Sequence, residues 1–121
     1  VIRGRLRMVC DVLPIGCDFD VEWHNAELNS DDSDVTEDND VTAEAWIESD
    51  GGDGTQNPAY LLLGSLVTPV YDATARCWRA TFPSTLEPTE GSYYRIFMEL
   101  VCTTPSARGK RMLRRQARFP E

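Results

Sequence analysis

Between Arg7 and Arg76 the chain has no lysine or arginine. It has a single histidine, His24, which leaves little room for acid–base or triad chemistry. It has no long apolar run; Leu61 to Leu63 and Ile96 to Met98 are far too short to span a bilayer. No Cys-x-x-Cys occurs among the four cysteines, Cys10, Cys17, Cys77 and Cys102, so their spacing argues against a structural zinc site. Cations are scarce overall, and the formal net charge of −8 argues against nucleic-acid binding by the surface at large.

The charge that is present is segregated. Fourteen Asp and Glu lie between Asp18 and Asp53, whereas Arg108, Lys110, Arg111, Arg114, Arg115 and Arg118 crowd the other end. Such asymmetry can dock like copies head to tail, or dock the chain on a charged partner. At 121 residues the chain is long enough for one domain with an adequate core and too short for two ordinary ones, so residues 1–121 are read as a single domain.

The repeated signal along the chain is period two with turn residues between the runs. Phe19, Val21 and Trp23 alternate with Asp18, Asp20, Glu22 and His24, which predicts a strand with one buried face and places His24 on the exposed one. Asn25 to Asp40 is almost wholly polar and reads as a mobile acidic loop. Val41 to Glu48 alternates again, with Trp46 on the face of Thr42, Glu44 and Glu48. Ser49 to Gly54 is a strong turn signal. Tyr60 to Val67 suggests a strand with a bend at Gly64-Ser65. Cys77 to Phe82 is a strand stopped by Pro83. Tyr93 to Cys102 is a long strand, Pro105 to Gly109 turns the chain, and a last strand runs from about Lys110 to Phe119. Trp23, Trp78, Phe82, Ile96 and Met98 are expected in the core. Six or seven strands without a convincing helix predict an all-β antiparallel sandwich.

Chemistry-bearing patterns are few. Gly64-Ser65 lacks the flanks of a nucleophile elbow, and Gly51-Gly52-Asp53-Gly54 is not followed by the Lys-Ser/Thr of a phosphate cradle. No catalytic residue, cofactor or committed metal ligand is therefore expected. Asp32, Asp34, Glu37, Asp38 and Asp40 are hard oxygen donors and stand as calcium candidates, against the alternative of a solvated acidic loop. Cys10 and Cys17 flank a corner and are candidates for a disulfide. Closing that loop would stabilise by about 2–3 kcal/mol on the chain-entropy model. Arg111, Arg114, Arg115 and Arg118 are candidates for partner binding; the competing reading is a charged edge strand guarded against edge-to-edge pairing.

The stretch from Cys77 to Leu100 resembles two consecutive strands and the intervening corner of an immunoglobulin-like or fibronectin-III-like sandwich. Leu86 and Pro88 match the corner, and Tyr93 and Tyr94 compete for the tyrosine that bonds back across it. Tyr94 is favoured because it shares a face with Ile96 and Met98. Gly16 to Val21, Thr68 to Leu86 and Glu90 to Arg95 further resemble small sandwich domains of tailed-phage virion proteins. The acidic insertion and the four cysteines depart from that pattern. The resemblance implies an immunoglobulin-like fold and a non-enzymatic structural or accessory role in a phage head, neck or tail. Partners would be other virion proteins or copies of the chain, with no membrane; nucleic acid is not expected beyond a local contact of the C-terminal basic run with packaged DNA, and the virion would be assembled in the host cytoplasm. Exposed apolar side chains such as Trp46 and Phe97, or their partners on the opposite face, would supply the contact area. The alternative is an extracellular bacterial binding or adhesion module.

Overall fold

The computed structural model describes residues 1–120. Within them the regular elements are eight strands and one 3-10 turn. The strands are β1 (Ile2–Met8), β2 (Leu13–Pro14), β3 (Phe19–Leu28), β4 (Val41–Ser49), β5 (Val70–Asp72), β6 (Cys77–Phe82), β7 (Tyr93–Thr103) and β8 (Ser106–Arg118), and the turn spans Glu37–Asn39. One sheet has the order β1-β3-β6-β5 and the other β2-β8-β7-β4. All pairings are antiparallel except β2 with β8. Among the described residues no helix is long and apolar enough to cross a membrane.

The two sheets form a sandwich because every long strand alternates. Val21 and Trp23 of β3 and Trp78, Ala80 and Phe82 of β6 face Ala45 and Ile47 of β4 and Ile96, Met98 and Leu100 of β7. Trp23, Phe82, Ile96 and Met98 are fully buried and Trp78 nearly so, as their spacing predicts. Each such side chain contributes about 1.5–3 kcal/mol by leaving water. The Phe19 and Phe82 rings stack at 5.2 Å where β3 and β6 meet at one end. The sheets close on each other along β1 and β8. There Gly109 lies so near Ile2 that an added Cβ would come within 2.6 Å of the Ile2 carbonyl oxygen.

Four expectations are corrected. The strand count is eight rather than six or seven, because β2 and β5 are too short to leave a periodic signal. Tyr60 to Val67 is not a strand. Leu61 and Val67 each make one isolated bridge to β4, and the chain between them turns away at Gly64. The Ser65 hydroxyl fills the gap, accepting from the Ile47 N–H at 3.1 Å and donating to the Leu62 carbonyl at 2.7 Å. The last strand begins at Ser106, earlier than expected, since Thr103 already pairs with Ser106. Finally, the acidic connection is folded. Asn25 to Leu28 belong to β3, Val35 is fully buried, and its carbonyl accepts from the Trp78 indole at 2.9 Å. One apolar residue inserted in the core, together with the Thr36 cap on the 3-10 turn, orders a segment whose composition reads as mobile.

Candidate functional site

The outer face of the first sheet carries a compact polar cluster. Glu22 and His24 are two apart on β3 and so share a face. The β3–β6 register sets Cys77 opposite His24 and Arg79 opposite Glu22, and the β5–β6 register sets Asp72 opposite Cys77. A ring nitrogen of His24, Nε2, lies 2.8 Å from Glu22 Oε1. Arg79 donates from Nε to Glu22 Oε2 at 2.8 Å and from Nη1 to Asp72 Oδ2 at 2.8 Å. Its Nη2 stands 3.8 Å from the Cys77 sulfur. Asp72 is held in turn by the N–H groups of Thr74 and Ala75 in the turn before β6.

These contacts set the charge states. The hydrogen bond from His24 and then Arg79 hold the Glu22 carboxyl below its usual range, against the opposing effect of burial. Burial, helped by the Glu22 charge, pushes the Cys77 thiol up, so at neutral pH it is protonated and a weak nucleophile. Arg79 is pushed up by Asp72 and Glu22 and stays charged. Cys77 has no exposed surface, while the Glu22 and His24 side chains keep 16% and 18% of theirs. His24 is thus half-buried and hydrogen-bonded, not the exposed strand residue expected. Among the described residues, Glu22, His24 and Cys77 are the one set of three donor side chains whose ligand atoms lie close enough, within 4.8 Å of one another, to share an ion. Sequence reasoning missed this set because β3 and β6 are far apart in the chain. The parity of Glu22 with His24, and of Cys77 with Arg79, was legible; the pairing was not.

The outer face of the second sheet is different. Trp46 and Phe97 stack at 5.7 Å and are almost fully buried, so they are not the exposed contact area expected. Residues 50–56 fold over them. The fully buried Glu48 accepts from the Trp46 indole at 2.6 Å and from the backbone N–H groups of Gly54 and Gln56 at 3.1 Å each. Arg95 donates to the Gly52 carbonyl at 2.8 Å and Lys110 to the Gly54 carbonyl at 3.1 Å. Both glycines are needed: a Cβ at Gly52 would meet Glu48 Oε1 at 2.1 Å, and Gly54 has φ +85°.

The candidate docking arginines divide accordingly. Arg114 forms a paired contact with Asp50 at 2.9 Å through Nε and Nη2 and lies over the Tyr93 ring. That contact holds the Asp50 carboxyl below its usual range. Arg111 points between the sheets, donates to the carbonyls of Gly4 at 2.8 Å and Ile2 at 3.0 Å, and covers the Trp23 ring. Arg115 is half-buried and donates to the Arg114 carbonyl at 2.9 Å. Arg118 is exposed and contacts Gln116.

The calcium candidates do not converge among the described residues. Asp32 pairs with Arg3, and Asp34 accepts from Arg76 Nη2 at 2.7 Å. Glu37 and Asp38 lie in the 3-10 turn, and Asp40 ends it in the left-handed region. Cys10 and Cys17 are unbridged in this structure and both are partly exposed. No protein-family model matches the chain, and no curated protein is similar enough in sequence to match it.

Proposed function

We propose that the chain is an immunoglobulin-like sandwich that acts as a non-enzymatic structural or accessory component of a tailed-phage particle, through contacts with other virion proteins or with copies of itself. The strand order supports the fold reading. β1-β3-β6-β5 corresponds to strands A, B, E and D of that architecture, and β8-β7-β4 to G, F and C, with β2 as a short second piece of A beside G. The corner supports it too: Leu86 and Pro88 are buried, and the Tyr94 hydroxyl accepts from the Thr89 N–H at 2.7 Å. The virion reading rests on the likeness of Gly16 to Val21, Thr68 to Leu86 and Glu90 to Arg95 to phage sandwich domains.

One observation carries the assembly role. The acidic connection bonds to the β7–β8 hairpin, where Asn39 Nδ2 donates to the Thr104 carbonyl at 3.0 Å, while Arg118 ends β8. A strand of this length spans roughly 40 Å, so the acidic connection and Arg118 lie at opposite ends of the sandwich; Arg3 and Arg76 offset part of the acidic end by pairing with Asp32 and Asp34, and Arg114 is taken up by Asp50. That polarity suits a head-to-tail contact between copies, whose symmetry generates rings or stacks. Charge would fix orientation and on-rate more than affinity. Sedimentation velocity at rising salt tests this. Association that weakens from about 0.05 to 0.5 M salt, and is lost in Arg118→Glu, is expected. Salt-independent association, or a chain missing from mass spectra of purified particles, overturns the respective part of the reading.

A further inference from the structure

We propose that Glu22, His24 and Cys77 form a three-ligand site for a zinc-class divalent cation on the outer face of the first sheet. The donor set is one carboxylate oxygen, one imidazole nitrogen and one sulfur, within 4.8 Å of one another. Tetrahedral zinc bonds to such atoms at about 2.0–2.3 Å, so small rotations of three side chains bring them to one centre. All three project from paired strands, β3 and β6, which fixes their relative positions better than a loop could. The sulfur lies buried beneath the partly exposed Glu22 and His24, with Arg79 Nη2 3.8 Å from it.

The surroundings select the kind of ion. Arg79 holds Glu22 Oε2, the outer hydrogen bond that a ligating carboxylate needs, while Oε1 and His24 Nε2 would exchange the hydrogen bond between them for bonds to the ion. Arg79 also pairs with Asp72, so its own charge is balanced without Glu22. On binding, the Cys77 sulfur gives its proton to solvent and the sulfur–metal bond forms, while His24 gives up the Nε2 proton it shares with Glu22 and ligates as the neutral ring protonated on Nδ1; thiolate and carboxylate together neutralise a dication. β1 sets Arg5 opposite His24 and Arg7 opposite Glu22. Those cations disfavour a loosely held hard ion such as calcium, whose binding depends on uncompensated carboxylates. They oppose any dication equally, so the preference for a softer, zinc-class ion comes from the thiolate and imidazole donors.

Cobalt(II) added to the full chain, with a phosphine reductant, tests this directly. The expected result is one ion per chain with sulfur-to-cobalt charge-transfer absorption in the near ultraviolet, displaced by zinc(II). The band should persist in Cys10→Ser/Cys17→Ser and vanish in Cys77→Ser. His24→Gln should weaken the apparent affinity by at least tenfold. Zinc(II) should raise the melting temperature of the wild-type chain and leave Cys77→Ser unmoved. Should Cys77→Ser fail to fold, loss of the band in Glu22→Gln/His24→Gln, made in the Cys10→Ser/Cys17→Ser background, serves as the same test. The absence of a band, or a band that disappears with Cys10 and Cys17 instead, overturns the site.

Discussion

The Trp46 indole N–H donates to the Glu48 carboxylate at 2.6 Å, and neither side chain has more than 1% of its surface exposed. Two residues apart on β4, they face outward from the sandwich, yet residues 50–56 enclose them. Glu48 is the acceptor around which that segment is wound. In Glu48→Ala the indole and the N–H groups of Gly54 and Gln56 lose their partner. Each buried donor left unpaired costs about 1–3 kcal/mol, so a loss of about 3 kcal/mol or more is expected in urea unfolding. Tryptophan emission should shift to the red as Trp46 meets water. Glu48→Gln should fall between, since its amide turns a donor toward donors. A neutral Glu48→Ala would mean that the stacked rings alone hold the segment down.

Arg111 and Arg118 should behave as two different kinds of residue. Arg111 ties β8 to β1 through the Gly4 and Ile2 carbonyls and covers Trp23. Arg111→Gln is expected to cost about 2 kcal/mol, the worth of hydrogen bonds from a charged donor with some cation–π attraction. Arg118 is exposed, so Arg118→Gln should stay within about 0.5 kcal/mol of the parent. Equal effects of the two changes in thermal unfolding would refute this division.

That division also marks where sequence reasoning reaches its limit. Alternation at Val21 and Trp23, at Trp78 to Phe82 and at Ile96 to Leu100 revealed the sandwich, because period two is imposed by the strand itself. Trp46 and Phe97 were placed on the correct outer face, but nothing local announced that the Ser49 to Gly54 turn would return to cover them. Tyr60 to Val67 has strand composition; the Ser65 hydroxyl, by accepting from the Ile47 N–H, stands where a ladder bond would be. In the acidic connection, the single buried Val35 outweighed the surrounding carboxylates. The grouping of Glu22 and His24 with Cys77 depended on which strand pairs with β3, and that is a property of the whole fold.

The Glu22 contacts give stability a pH dependence with a definite sign. Its folded carboxyl titrates below the usual value of 4.5, because His24 and Arg79 favour the charged form. The unfolded chain therefore binds more protons in that range. The stabilisation is fully present above 4.5 and is lost as pH falls through the folded value. Other carboxyls are lowered as well, among them Asp50 and Asp72, so the parent should lose stability steadily on acidification. Glu22→Gln should be less stable at neutral pH and show a shallower fall between about pH 6 and 3. Parallel curves for parent and variant, from urea unfolding across that range, would contradict the assignment.

The two adjacent tyrosines offer the cleanest separation of a fold-determining contact from a surface one. Tyr94 is buried and its hydroxyl accepts from the Thr89 N–H at 2.7 Å, fastening the corner before β7. Tyr93 is 42% exposed, and its ring lies 3.8 Å from the Arg114 guanidinium carbon. Tyr94→Phe keeps the ring in the core and removes only the acceptor. Thr89 is exposed, so water can replace part of the lost bond, and a cost of about 1 kcal/mol is expected. For a domain of this size that is a fall of about 4 °C in melting temperature. Tyr93→Phe retains the face that Arg114 covers and should change stability by less than about 0.5 kcal/mol. The reverse order of effects would move the corner to Tyr93 and remove one of the two structural supports for an immunoglobulin-like fold. With the expected order, the bond from Thr89 to Tyr94 is a stabilising element of the corner, and the strand order and the corner then support the same architecture independently.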